Sequence, residues 1–209
     1  MRRPTLPRFP QNIPSSVRFI VGIDEAGRGP LAGPVAVGAV VVPVGKHPLF
    51  KRARDSKQLS PQARESIFKE IQKAQKENSL NFAVSLVSSQ VIDAEGIVPA
   101  IRRGIKNCLN KLAAPPDETL ILLDGSLRAP EHFLFQKTII RGDESQPVIG
   151  LASIAAKVTR DRAMVRFAKK FPEYGFEIHK GYGTLLHRQK IKKHGPCEVH
   201  RTSFLKGYK

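Results

Sequence analysis

Two apolar runs lie on either side of a glycine-rich turn near the start of the chain. The first, VRFIVGID (17–24), ends in adjacent acids, Asp24 and Glu25; after AGRGPLAG the second, PVAVGAVVVP (34–43), follows. A run rich in β-branched residues, with no polar residue alternating through it, reads as a strand covered on both faces. Proline punctuation at both ends of the second run marks it as a separate strand. A fold that begins this way has a sheet with both faces covered, and it places two carboxylates at a strand end.

The remaining pattern supplies the cover. Ser60 is an N-cap with Pro61 at the first helical position, and the helix continues through QARESIFKEIQKAQK with Ile67, Phe68 and Ile71 on one face. LNFAVSLVS (80–88) reads as a third strand. SQVIDAEGIVPAIRRGIKNCLNKL (89–112) is helical, interrupted near Gly96 and Pro99, and Pro115 and Pro116 end it. TLILLDG (119–125) and HFLFQKTII (132–140) read as the fourth and fifth strands. A long helix, 148–171, follows, with Leu151, Ile154, Ala155, Val158 and Val165 on its apolar side. From about 172 the chain is rich in Gly, His, Lys and Tyr, with one or two short helices around TLLHRQKIKKHG and Gly195 as the stop. Strands alternating with helices after the first pair give an α/β class with a mixed five-stranded sheet flanked by helices. The expected organisation is a flexible Pro-rich tail, 1–16, and a single domain, 17–209, ending in a helical extension.

Charge narrows the function. Thirty-five Lys and Arg stand against 18 acids, a formal net charge of +17. Such an excess captures polyanions, so nucleic acid is the expected partner. Two distant cysteines, Cys108 and Cys197, make neither a disulfide framework nor a Cys-rich zinc site. With no apolar run of membrane-spanning length and no secretory h-region, the expectation is a cytoplasmic protein without a membrane partner.

Within so basic a chain the acids at strand ends need a reason. Asp24 and Asp124 each end a strand; if those strands are parallel neighbours, Asp24, Glu25 and Asp124 converge on one edge of the sheet, where Asp143 could join them. Carboxylates so gathered repel unless cations hold them. Hard oxygen ligands select Mg²⁺ or Mn²⁺, and two such ions suit phosphodiester cleavage. The alternative is that each acid merely caps a turn. Four late histidines, His179, His187, His194 and His200, lack the regular arrangement of a zinc site and read as surface or hydrogen-bonded residues.

These residues carry a family resemblance. GIDEAGRGPLAGPVAVGAVV resembles the first motif of ribonuclease HII, the type 2 ribonucleases H, and DSKQLS, LLDG, RGDESQPVIGLASIAAKVTRDRAM, HKGYGT and HRTSF resemble its later motifs in the right order. The resemblance implies a ribonuclease H-like sheet with a helical C-terminal extension. It implies metal ligation by Asp24, Glu25, Asp124 and Asp143, the last following Arg141 where the family has lysine. It implies endonucleolytic cleavage of RNA in RNA–DNA hybrids and on the 5′ side of single ribonucleotides in duplex DNA, leaving 3′-hydroxyl and 5′-phosphate ends, by a monomer.

Substrate contacts follow in the same way. Backbone groups of Gly27-Arg28-Gly29 are expected to read a 2′-hydroxyl, with an Arg28 ion pair to Asp24 or Glu25 as the alternative. Tyr182, between two glycines, is expected near the ribose at the RNA–DNA junction. Ser153 and Lys157 share a helix face with Asp161 and would hold phosphates, unless Lys157 and Asp161 only form a surface pair. Lys57 is expected as a further phosphate contact, with one more surface lysine as the alternative. Two other readings stand beside this one: a non-catalytic nucleic-acid binding protein, and the sister enzyme ribonuclease HIII, which carries an additional N-terminal substrate-binding domain where this chain has a short tail.

Overall fold

The computed structural model describes residues 13–45, 47–51, 53 and 59–206. Five strands form one sheet: β1 (Phe19–Ala26), β2 (Val35–Pro43), β3 (Asn81–Val87), β4 (Thr119–Asp124) and β5 (Gln136–Ile139), in the order β3-β2-β1-β4-β5. β2 pairs antiparallel with β1 and β3, whereas β4 runs parallel to β1 and β5. The sheet is therefore mixed, and both of its faces are covered.

Successive strand residues point to opposite faces. Ile20, Val40, Val42, Leu120 and Leu122 face helices α1 (Pro61–Lys76) and α5 (Pro147–Lys170). Val21, Ile23, Val37, Ile121 and Leu123 face α3 (Ile97–Leu112). The N-cap at Ser60 forms as expected, its side chain accepting the Ala63 N–H at 3.1 Å. The break at Gly96 is complete: φ is +88° there, and it separates α2 (Ser89–Glu95) from α3. At the N-terminal side, Ile13 packs against the first core cluster. No helix among the described residues is long and apolar enough to cross a membrane.

Two expectations need correction. The fifth strand pairs only over Gln136–Ile139, not 132–140. A turn occupies the preceding residues, closed by the Phe133 N–H on the Pro130 carbonyl and by the Gln136 side chain, which bridges Ala129 N–H and the Phe133 carbonyl. Val165 is 40 % exposed instead of buried. A helix of 24 residues is about 36 Å long and outruns a sheet of this size. Past Val158 its buried face is set by the C-terminal extension, and Met164 and Ala168 pack there with Tyr174, Phe176 and Val199 while Val165 does not.

Three short helices lie beyond Arg141 besides α5: α4 (Gly142–Ser145) before it, then α6 (Phe176–His179) and α7 (Leu185–His194) after it. Tyr174, Phe176 and Val199 pack with Ala32 and Met164 to fix the extension against the glycine-rich turn. Gly195 ends α7 at φ +74°.

Three of the four late histidines are interior: His179, His187 and His200 are 8 %, 0 % and 2 % exposed. Burial pushes the His187 and His200 imidazoles down to about 4, with His179 acting on both and His200 also on His187. The folded state keeps them neutral, while an unfolded histidine titrates near 6.5. Between those values the unfolded chain binds more protons, so this contribution is present above pH 6.5 and is lost as pH falls toward 4. The expected loss is on the order of 3 kcal/mol for the interacting pair. Thermal unfolding from pH 7.5 to 4.5 should show it, and His200→Gln should flatten the profile; identical slopes in the two proteins would contradict it.

Candidate active site

β1 and β4 are parallel neighbours with Ile23 opposite Leu123, so Asp24 and Asp124, one residue further on, lie side by side where that pairing stops, while β1 continues along β2 to Ala26. Both line one cleft at the C-terminal edge of the parallel strands, and Glu25 joins them. This is the edge at which α/β sheets bind ligands, because the strands stop there and the loops diverge. The convergence expected for these three acids is therefore the one the topology produces.

The acids are held by different partners. The Asp24 carboxylate accepts the N–H of Glu25 at 2.7 Å. Asp124 accepts the N–H of Gly142 at 2.7 Å. Glu25 pairs with Arg28 at 3.4 Å, the ion pair weighed above as an alternative use of that arginine. Asp24 is only 5 % exposed, and burial pushes its carboxyl up to about 8; a hydrogen bond from Ser153 opposes that, and the charges of Glu25 and Asp124 add to it. Burial also raises Glu25, with Arg28 opposing. Among the described residues no three His, Cys, Asp or Glu side chains are drawn around a single point as a metal cluster. The acids of the cleft nevertheless fit a hard cation: an all-oxygen donor set, mutually repelling and partly desolvated, is what a divalent ion stabilises.

The rest of the lining is cationic and aromatic. Arg28, Arg64, Lys157 and Tyr182 contribute to it, with Ser153 beside Asp24. Lys157 bonds Asp161 at 2.8 Å one helical turn on, yet its side chain still faces the cleft. The Tyr182 ring is 42 % exposed, with Lys157 Nζ 5.9 Å from its centroid and the Arg160 guanidinium at 5.7 Å. Asp143 is brought near but is not among the cleft-lining residues. It is 1 % exposed at the start of α4, one residue beyond the Gly142 N–H that binds Asp124. Lys57 lies outside the described residues.

Two residues of the site were not singled out from sequence. Arg160 and Arg201 are fully buried beneath the glycine-rich turn. Arg201 donates to the carbonyls of Gly27 (2.6 Å), Arg28 (2.8 Å) and Gly33 (3.0 Å). Arg160 donates to those of Pro34 (2.9 Å) and Ala32 (3.2 Å). A trans peptide points its N–H opposite to its C=O. With the Gly27 and Arg28 carbonyls turned inward, the N–H groups of Arg28 and Gly29 face outward. Gly27 is required for this: its φ is +88°, and a Cβ there would lie 1.9 Å from Arg160 Nε. Burial lowers both guanidiniums, Arg201 to about 9 with the Arg160 charge contributing. The available signal was positional: Arg160 continues the buried small-residue row Ala152, Ala156, where a solvated arginine has no place.

Comparison with known proteins bears on the family and the fold. Residues 21–206 match the family model for ribonuclease HII. The ribonuclease HII of Caldicellulosiruptor bescii is 47 % identical over 90 % of this chain and 87 % of its own length. That of Endomicrobium trichonymphae is 44 % identical over 88 % and 84 %. Among solved structures, ribonuclease HII in the PCNA complex from Archaeoglobus fulgidus superposes with a TM-score of 0.71 at 27 % identity, covering 88 % of this chain and 93 % of that one. A Bst ribonuclease HIII in complex with Mn²⁺ shares the fold at a TM-score of 0.63 and 17 % identity, over 86 % of this chain and 63 % of that one.

Proposed function

This chain belongs to the ribonuclease HII family and is a type 2 ribonuclease H endonuclease, and from that premise we propose how its cleft performs the cleavage. Asp24, Glu25 and Asp124 hold the catalytic divalent cations, Mg²⁺ or Mn²⁺, with Asp143 closing the set from behind. The observation that carries this reading is the end of the β1–β4 parallel pairing, where Asp24, a buried carboxyl raised to about 8, stands with two further acids in an otherwise basic cleft. Cations bound there supply water activation and charge neutralisation at the leaving oxygen.

The chain's own groups do the rest. The outward N–H groups of the 27–29 turn meet the 2′-hydroxyl, which is what separates RNA from DNA at one nucleotide. Tyr182 packs near the ribose at the RNA–DNA junction. Ser153 and Lys157, with Lys57, bind the phosphate backbone, and Ser153 also hydrogen-bonds Asp24. Arg64 lines the same cleft, its Nη1 fixed on the Leu59 carbonyl at 2.9 Å, and it adds positive potential there. The product ends are 3′-hydroxyl and 5′-phosphate, and the enzyme works as a single 17–209 catalytic domain, a monomer, in the cytoplasm.

A duplex with one embedded ribonucleotide, incubated with Mg²⁺, Mn²⁺ or chelator beside an all-DNA duplex, tests this. The expected result is one metal-dependent cut 5′ to the ribonucleotide and none in the control. Binding without cleavage in either metal would overturn the proposal.

A further inference from the structure

We propose that His187 and His200 are positioning residues for Tyr182, joined in a directed hydrogen-bond chain that fixes the tyrosine's backbone at the edge of the cleft. The inference rests on the reading of Tyr182 as a substrate contact.

The chain can be read atom by atom. His187 Nδ1 lies 2.9 Å from the Tyr182 carbonyl, which only accepts, so Nδ1 carries the proton. A neutral His187 then has a bare Nε2, and His200 Nε2 stands 3.1 Å from it. His200 must therefore donate from Nε2, which leaves its Nδ1 bare. Cys197 N–H donates to that Nδ1 at 2.9 Å, as the assignment requires. The Cys197 carbonyl, 3.3 Å from the same nitrogen, is the poorer partner. The order is thus Cys197 N–H to His200, His200 to His187, and His187 to the Tyr182 carbonyl. No other arrangement of protons on two neutral rings satisfies both backbone ends.

His179 braces the same loop in parallel. Its Nδ1 accepts the Gly181 N–H at 3.2 Å, its Nε2 faces the Tyr174 carbonyl at 2.9 Å, and its ring stacks on His187 with centroids 4.2 Å apart. The loop needs such support. Lys180 and Gly181 both have positive φ, +50° and +83°, and a Cβ on Gly181 would lie 2.4 Å from the Ala32 carbonyl oxygen. Backbone held in that region persists only when its surroundings determine it. The Gly181 carbonyl also takes the Leu31 N–H at 2.8 Å, so the Tyr182 loop is docked directly on the glycine-rich turn.

The arrangement works with uncharged imidazoles alone. A proton added to His187 or His200 would set N–H against N–H across 3.1 Å. The groups around the pair leave it neutral: His179 and the Tyr174 and Phe176 rings pack on it, and the Cys197 thiol is 3.2 Å from His200 Nδ1. Glu173 acts on Tyr174 and Cys197, and Glu198 on Cys197. Burial holds both imidazoles far below their ordinary range, in keeping with this.

Two measurements on the full chain test the proposal. Long-range ¹H–¹⁵N spectra of the histidine side chains at pH 7 should show His187 as the Nδ1–H tautomer and His200 and His179 as Nε2–H. His187 found as Nε2–H overturns the chain. The second is a double-mutant cycle on the single-ribonucleotide duplex. His187→Phe should raise KM about tenfold with kcat changed less than about threefold, and it should add nothing in a Tyr182→Ala background. An undiminished effect in that background means that His187 does not act through Tyr182, and the proposal fails. If His187→Phe does not fold, His200→Gln, which keeps a donor at the Nε2 position, should stay within about threefold of the parent KM where His200→Leu does not. Equal KM values for the two His200 variants would overturn it. A Tyr182→Ala enzyme with unchanged KM and kcat would remove the substrate reading itself, an outcome recognisable because the tautomers would still be as stated.

Discussion

Asp24→Asn should lower cleavage of a single-ribonucleotide duplex by on the order of 10³-fold or more, while binding of that duplex changes by no more than about threefold. The substitution keeps the shape and removes one negative charge from a site that must hold cations against an incoming phosphate. It also removes an ionisable carboxyl that is 5 % exposed and raised to about 8 beside two other acids. Metal-free Asp24→Asn protein should therefore be no less stable than the parent, and more stable if relief of repulsion dominates. Asp124→Asn should lose activity similarly, but its amide can turn an oxygen to the Gly142 N–H that Asp124 now binds at 2.7 Å, so the fold should tolerate it. Parallel measurement of turnover, duplex affinity and Tm separates these terms. Near-normal turnover in either variant would remove the acids from the chemistry.

The strands and the acids were legible because each has a local signal. Two-sided burial writes itself as an unbroken β-branched run, and a carboxylate after such a run marks where the strand must leave the core. Ser60-Pro61, Gly96 and Gly195 announced helix ends through caps and φ requirements that act within a few residues. What escaped was set by contacts distant in the chain. The C-terminal extension decides which side of α5 is buried past Val158, so Val165 could not be placed from periodicity. Arg201 solvates carbonyls more than 160 positions away, and nothing adjacent to it in sequence says so. The late histidines read as surface or hydrogen-bonded residues, and three of them are the second kind; which three was not legible because their partners are backbone groups and one another. Asp143 illustrates the limit within the site. Its position in the chain puts it just past β5, but the αL turn at Arg141 determines how far it stands from the cleft.

The close seating of α5 on the sheet connects fold to chemistry, and its removal should have the largest effect on stability. Glycine stands in the middle of β1 and of β2 where a β-branched residue would be the better strand former. A Cβ on Gly22 would lie 2.4 Å from the carbonyl carbon and oxygen of Val148, and one on Gly38 would lie 2.3 Å from the Ala152 carbonyl oxygen. Both obstacles are helix backbone, which no rotamer change can clear. Gly22→Ala or Gly38→Ala must therefore lift α5, at about 3 kcal/mol or more, lowering Tm by on the order of 10 °C in a domain of this size. The same displacement carries Ser153 away from Asp24 and Lys157 out of the cleft, since both ride on this helix. Activity should then fall at temperatures where the protein is still folded. Gly29→Ala is the control for stability, because a Cβ there meets nothing within 4 Å. Its Tm should match the parent's whatever it does to substrate reading. A Gly38→Ala protein with parental Tm and turnover would show that the helix can back away freely, and that the site does not depend on this contact.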